Sequence, residues 1–417
     1  MERYNPWWTK EPDILYEEWS TSEINWIPDV VGKIKLKPFS LHFLTGPRQV
    51  GKTTAIKILI QQLIDSMPSK SVFYYSCDEL TDHRELGDVL DNYLSARNAW
   101  GIKKSVFFLD EVTFVDDWWR AVKSRIDAGD LKKDVVVITG SARIELLKQK
   151  ETFPGRRGYG EDYVLHPLGF STFAKVLGGL ETKVGGISAL ERNVKANSLF
   201  SRRLAKLFKD YVRIGGFPRS VRDHVRYGKV TVETTRNYLD WIKGDWSRMG
   251  KSDRSMKEIL SYLIRARGTP ISWNSISTQT GINSPNTVKS YVETLEGIQS
   301  LIVLNLIRHD SRIDSRKNKK VHFSDPFIFK VLGEYVNIEA SMDWVTEATV
   351  AVNLSREHPV YYWRNHTEVD VVCVHDGRQI GFEVTKGLKK WKPPWHIKEA
   401  HLLDKANLPL YLSALKS

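Results

Sequence analysis

Cysteine is scarce: the two in 417 residues, Cys77 in "VFYYSCDE" and Cys373 in "VDVVCVHD", sit in apolar runs and resemble neither a disulfide framework nor a metal ligand set. Long hydrophobic runs are missing too. No stretch of 18 apolar residues occurs, which argues against a membrane-spanning helix. The first 30 residues mix acids, tryptophans and prolines and lack the basic start and apolar core of a signal peptide, so a soluble cytoplasmic protein with no membrane partner is expected. Low-complexity tracts and repeats with a period of 20 to 50 residues are absent. Acid is in deficit, with 62 Lys and Arg against 50 Asp and Glu, a formal charge of +12. That balance favours contact with polyanions, although a solvated basic surface produces the same numbers.

What is present has the composition of a globular chain, long enough for about two to four compact units. "LHFLT" (41–45), "SVFYYSC" (71–77), "SVFFLDE" (105–111) and "DVVVITG" (134–140) are short continuous apolar runs, as expected of strands buried on both faces. Helical patterns lie between them: Ile56, Leu59, Ile60, Leu63 and Ile64; Leu86, Val89, Leu90, Tyr93 and Leu94; Trp119, Val122 and Ile126. Such alternation predicts an α/β fold built on a parallel sheet.

Between the first strand and the first long helix, Gly46, Pro47, Arg48, Gln49, Val50, Gly51, Lys52 and Thr53 match the phosphate-loop pattern G-x-x-x-x-G-K-[ST], and Thr54 continues it. Glycines let backbone N–H groups turn toward phosphates, Lys52 reaches the β and γ oxygens, and the Thr53 hydroxyl binds Mg²⁺. Asp110 and Glu111 end a buried strand where ligands of open α/β sheets bind. Asp110 is placed to hold Mg²⁺ through water, and Glu111 to orient and deprotonate an attacking water. The pair therefore points to ATP hydrolysis with Mg²⁺, beyond binding alone. Ser141 in "VVVITGSAR" is a candidate sensor of the γ-phosphate, with Thr139 as the alternative. Arg156 and Arg157, in the glycine-flanked loop "ETFPGRRGYGED", are candidate arginine fingers, from this or a neighbouring subunit, or else ordinary solvated or ion-paired arginines.

Together "NPWW", "GPRQVGKTT", "FFLDEVTFVDDWWR", "ITGSA", "FPGRRG" and "PLGFSTF" resemble the archaeal branch of the AAA+ ATPases that carry a C-terminal restriction-endonuclease-type domain. The resemblance spans essentially the whole chain. It implies an ATP-hydrolysing core over residues 1–180, a helical lid over 181–250, and a DNA-linked C-terminal half. In "GGFPRS", Arg219 is where such a lid would place a second sensor, though a solvated arginine fits equally.

Residues 251–325 read as a winged helix. A helix, a turn at Gly281, and a second helix with Ser284 as N-cap and Pro285 at its first position precede strands. Val288, Tyr291, Val292 and Leu295 form the inner face of that second helix, leaving Asn286, Thr287, Lys289 and Ser290 near its start for a DNA groove or for protein packing. The connecting wing, residues 307–320, carries six Lys or Arg against two Asp, which suits phosphate contact by residues that include Lys319 and Lys320.

Residues 326–417 read as a small α/β domain. Glu347 lies on an amphipathic helix; "TEVDVVCVHDGRQIGFEVTKG" reads as two strands joined at Asp376 and Gly377. Alternation puts Glu368 with Asp370, and Glu383 with Thr385. Glu347, Asp370 and Glu383 are expected to converge on a hard divalent cation. This resembles the PD-(D/E)xK nuclease pattern, except that Thr385 stands where its lysine belongs and Lys386 is one residue late. The expectation is thus a Mg²⁺-dependent ATPase, in a homo-oligomer, that binds or processes DNA. The competing expectation is a nucleotide-controlled signalling or defence switch that binds a protein partner and carries a degenerate nuclease-like domain.

Overall fold

Strand β1 (Ser40–Thr45), β3 (Val106–Asp110) and β4 (Val135–Gly140) are buried along their whole length, because "SLHFLT", "VFFLD" and "VVVITG" offer apolar side chains to both faces. The computed structural model describes residues 1–140, 153–385, 387 and 391–416. These fall into two compact units, Met1–His166 and Pro167–Ser417. Among the described residues no helix is long and apolar enough to cross a membrane.

In the first unit β2 (Val72–Ser76) and β5 (Asp162–Val164) complete a parallel sheet in the order β2-β3-β4-β1-β5. Helices Lys52–Ile64, His83–Ala99 and Trp118–Ala128 make the crossovers. Each boundary has a local cause. Asp82 accepts from the Arg84 and Glu85 N–H groups at the start of one helix, and Gly129 ends another at φ 89°. The chain leaves β1 for the far edge at β2, whereas β5 lies on the other side of β1. The strand order therefore reverses at β1, and its carboxyl end is where an open α/β sheet takes a ligand.

The β2 edge is covered by the "NPWW" segment. Buried Asn5 imitates a neighbouring strand, donating to the Tyr74 carbonyl at 2.9 Å and accepting from the Tyr74 N–H at 2.7 Å. The indole N–H groups of Trp7 and Trp8 both donate to the Val72 carbonyl at 3.0 Å. These bonds satisfy backbone groups that would otherwise invite another strand.

The second unit begins with helices from Phe170–Gly178 to Val232–Arg248, which include the segment expected as a lid. They pack with the C-terminal residues: Ser171 donates to the Leu415 carbonyl and Asn197 to the Ser413 hydroxyl. Helices Asp253–Ala266, Trp273–Gln279 and Pro285–Gly297 follow, then a hairpin of β6 (Leu301–Ile307) and β7 (Ile313–Phe323). After helices Pro326–Val336 and Met342–Ser355 come β8 (Val360–Arg364), β9 (Glu368–His375), β10 (Arg378–Val384) and β11 (Glu399–Leu403). The hairpin does not stand alone. Leu306 of β6 pairs with Tyr362 of β8, so one mixed sheet runs β11-β10-β9-β8-β6-β7.

Between β6 and β7 the register slips: Asn305 pairs with Lys319, but Leu306 pairs with Asp314. The intervening residues bulge outward, leaving Arg316 and Lys317 exposed, while the Lys319 ammonium folds back to donate to the Ser315 carbonyl at 2.7 Å. Lys319 and Lys320 are both buried, contrary to the expectation that they line a phosphate-binding wing.

Candidate functional site

The loop after β1 folds as a cradle. Gln49 at φ 57° and Gly51 at φ 100° both take left-handed backbone, the geometry that turns successive N–H groups to one side as an anion nest. Gly46 is required by close approach, since a Cβ there would lie 2.5 Å from the Leu165 carbonyl oxygen and 3.0 Å from Val50 Cγ1. Gly51 is the N-cap of helix Lys52–Ile64, so Lys52, Thr53 and Thr54 form its first turn, where the helix dipole favours a negative ligand. Lys52 is almost wholly buried and donates to the Gly46 and Pro47 carbonyls at 3.0 and 3.2 Å; its Nζ is 3.8 Å from Glu111 Oε1. The Arg48 guanidinium lies 5.3 Å from the Phe114 ring centre.

Asp110, at the end of β3, gathers hydroxyl donors from three strands or helices. Thr53 Oγ1 donates to Oδ2 at 2.7 Å, Tyr74 Oη donates to the same oxygen at 3.0 Å, and Thr139 Oγ1 donates to Oδ1. Thr139 also accepts from the Glu111 N–H at 2.9 Å. Burial and the Asp110 charge push the Tyr74 phenol far above its ordinary pKa, so it stays a donor. Glu111 takes left-handed backbone at φ 53°, costly for a non-glycine residue, and its buried Oε2 has no hydrogen-bond partner. Thr53 Oγ1 and the Asp110 carboxylate offer adjacent hard oxygens to a magnesium ion, and the donor set fits it.

Other expected residues lie elsewhere. Ser141 is outside the described residues; its alternative, Thr139, is at the centre of the site. Arg156 and Arg157 flank the amino end of β1, where the Leu41 N–H donates to the Arg157 carbonyl, about 20 Å along the strand from the cradle. Arg156 is paired with Asp127 at 2.6 Å and Arg157 with Asp162 at 2.7 Å. Arg219 pairs with Glu233 at 3.2 Å within the second unit. Sequence reasoning missed Tyr74; a tyrosine two residues before the end of a strand adjacent to β3 was the available signal.

In the second unit the acids do come together, but around a lysine. Lys320 Nζ lies 2.7 Å from Glu347 Oε1, 2.8 Å from Glu368 Oε1 and 2.8 Å from Asp370 Oδ1. Asp370 Oδ2 accepts from the Val384 N–H at 2.9 Å, and Glu383 Oε2 accepts weakly from the Asp370 N–H at 3.3 Å. Burial works against the Lys320 ammonium, but Glu347, Asp370 and Glu368 outweigh it and keep it charged. Burial, reinforced by Asp370, pushes Glu347 up to about 8 despite Lys320. His322, pushed down to about 3 by burial and Lys320, is neutral. Thr385, where a lysine was expected, donates to the Gly387 carbonyl; Lys386 is outside the described residues. Among the described residues no group of three or more His, Cys, Asp or Glu is arranged to hold a metal ion. The expected metal set of Glu347, Asp370 and Glu383 is thus corrected: β7, not foreseen as part of this site, delivers an ammonium into it.

Residues 39–174 match the family model of the AAA domain, and residues 205–340 that of a domain of unknown function, DUF8612. The parallel α/β unit with its phosphate cradle is thus similar to the AAA domain over most of its length. No curated protein matches the chain. Solved structures similar to it include the Walker-type ATPase of Pyrococcus abyssi (12% identity, 70% of this chain and 90% of that one, TM-score 0.42). They also include the ORC2 protein of Aeropyrum pernix in ADPNP–ADP complexes (10%, 75% and 96%, 0.40) and the Holliday junction branch migration motor RuvB of Thermotoga maritima (16%, 75% and 91%, 0.30).

Proposed function

We propose that the chain is a Mg²⁺-dependent ATPase whose first unit hydrolyses the terminal anhydride of ATP and whose second unit contacts DNA. One observation carries the first half: Thr53, Asp110 and Glu111 converge beside the Lys52 ammonium at the carboxyl end of the sheet. The cradle N–H groups and Lys52 bind the phosphates, the ammonium exchanging its loop carbonyls for phosphate oxygens. Thr53 and Asp110 would hold magnesium, which when bound neutralises charge on the phosphate oxygens. Thr139 fixes both Asp110 and the backbone of Glu111. The unpartnered Glu111 Oε2 accepts the proton of a water whose oxygen attacks the γ-phosphorus, and the β–γ bridging oxygen leaves with ADP.

Two variants test this together. Lys52→Ala is expected to abolish Mg²⁺-ATP binding, and Glu111→Gln to retain binding while turnover falls about 10²- to 10⁴-fold, the usual worth of a general base. Unchanged turnover in both would refute the reading. Arg156 and Arg157 serve this site only when a second copy presents them, and a homo-oligomer with ATP between subunits is proposed on that ground.

For DNA the support is the surface charge of the helices and hairpin in residues 251–325, whose order of elements suits a winged helix. The exposed cations include Arg312, Arg316 and Lys317 on the hairpin and Arg254, Lys257 and Arg265 along helix Asp253–Ala266. The last three line a groove of about 1130 Å³ with the hydroxyls of Ser261, Ser272 and Ser275. Helix Pro285–Gly297 is less suited to phosphate than its position suggests, since it exposes Lys289 with Glu293 and Glu296. The same acidic face favours, as the second reading, a nucleotide-controlled switch that docks a protein partner there.

A further inference from the structure

The carboxylate cluster of the second unit has a property that ordinary surface ion pairs lack. An ammonium has three N–H donors and no acceptor. Lys320, 2% exposed, donates to Glu347 Oε1 and Asp370 Oδ1 at 2.7 and 2.8 Å and forms an ion pair with Glu368 Oε1 at 2.8 Å. Enclosed by these three carboxylates, the ammonium is neutralised where it lies and does not stand in for the lysine missing at position 385. The three oxygens it gathers come from a helix (Glu347) and from one face of β9 (Glu368 and Asp370), the donor type that a hard divalent cation takes.

His322, on the same face of β7 two residues on, adds an independent pointer. Its Nδ1 accepts from the Trp344 indole N–H at 3.1 Å, which leaves the proton on Nε2. That Nε2 is fully buried, unpartnered, and 3.6 Å from Glu347 Oε1. The cluster is therefore over-supplied with acceptors for its single ammonium, and a second donor is aimed at the surplus. It is also reachable: Glu347 borders a cavity of about 510 Å³ that Val384 and Thr385 line as well.

We infer that the Lys320 ammonium stands in the place of a divalent cation, so that the second unit contains a pre-formed oxygen-donor cation site closed by its own side chain. As the chain stands, the site takes up no metal and cuts no phosphodiester. Removing the ammonium leaves Glu347, Glu368 and Asp370 converging on a space that a cation of the Mn²⁺ or Ca²⁺ type fills.

The experiment is Mn²⁺ titration, by calorimetry and electron paramagnetic resonance, of the metal-stripped, nucleotide-free full chain. Wild type, Asp370→Asn, Lys320→Ala and Lys320→Ala/Asp370→Asn are compared. Expected is no Mn²⁺ site in wild type that depends on Asp370, and one added equivalent in Lys320→Ala that the double variant loses. Lys320→Ala should also melt lower in chelator and recover with Mn²⁺. A wild-type Mn²⁺ site lost in Asp370→Asn overturns the inference, as does folded Lys320→Ala that binds none. Should Lys320→Ala not fold with or without Mn²⁺, the comparison of wild type with Asp370→Asn decides alone. With no nucleotide present, none of these outcomes depends on ATP hydrolysis.

Discussion

Asp110 receives three hydroxyl donors, and its place in the site depends on all of them. Tyr74→Phe removes one bond to a buried carboxylate, worth about 1.5–3 kcal/mol. The expected result is a several-fold rise in the Mg²⁺ concentration for half-maximal ATP turnover, with less change in maximal rate; an unaltered Mg²⁺ dependence would show that Tyr74 does not position Asp110. Asp325 gives a second test at this scale. Burial pushes its carboxyl up to about 7, against the lowering effect of the Gly216 and Phe327 N–H groups and of Arg356. The folded state then keeps a proton that the unfolded chain releases at about pH 4. Between those values the native state binds more protons, so stability falls as pH rises from about 4 to about 7. Melting curves of Asp325→Asn should be flatter over that interval than those of wild type. Lys52, Thr53, Asp110 and Glu111 are legible in the sequence because a phosphate loop acts within eight consecutive residues and an acidic pair at a strand end is local too. Tyr74 and Lys320 are not. Their partners are 36 and 27 to 50 positions away, and only the tertiary fold brings them together.

Among the elements, the phosphate loop and the N-terminal segment have tolerances that can be measured. Gly46→Ala puts a methyl into the Leu165 carbonyl and should cost nucleotide binding while far-ultraviolet circular dichroism is retained. Asn5→Ala leaves a buried N–H and carbonyl of Tyr74 without a partner, at about 1–3 kcal/mol. A melting temperature within error of wild type would contradict the edge-covering role of "NPWW". The β6–β7 hairpin shows where elements are hard to read. Its basic composition suggests a solvated wing, but the register slip after Asn305 exposes Arg316 and Lys317 and turns Lys319 and Lys320 inward. A bulge leaves no periodic trace in a run as polar as "RIDSRKNKK". The buried apolar runs of the parallel sheet, by contrast, announce their strands directly.

Across the whole molecule, the charge of +12 does not by itself locate a basic surface, since several cations, Lys57, Arg97 and Lys320 among them, are buried against carboxylates. If the hairpin contacts DNA, Arg312→Ala, Arg316→Ala and Lys317→Ala together should lower affinity and reduce the slope of log K against log salt by up to about 0.9 per residue. Undiminished binding by the triple variant would move the contact to another surface. The parallel α/β core is legible from its motifs, whereas the sheet shared by hairpin and C-terminal strands is not, because the Leu306 to Tyr362 pairing that joins them has no signature in either segment. Whether the cradle at the end of β1 takes up a triphosphate is read by calorimetric titration of ATP into the full chain, with magnesium and then with chelator. Wild type should take up ATP in a magnesium-dependent manner and Lys52→Ala should not; uptake absent in wild type, or equally strong in Lys52→Ala, would rule the cradle out as an ATP site.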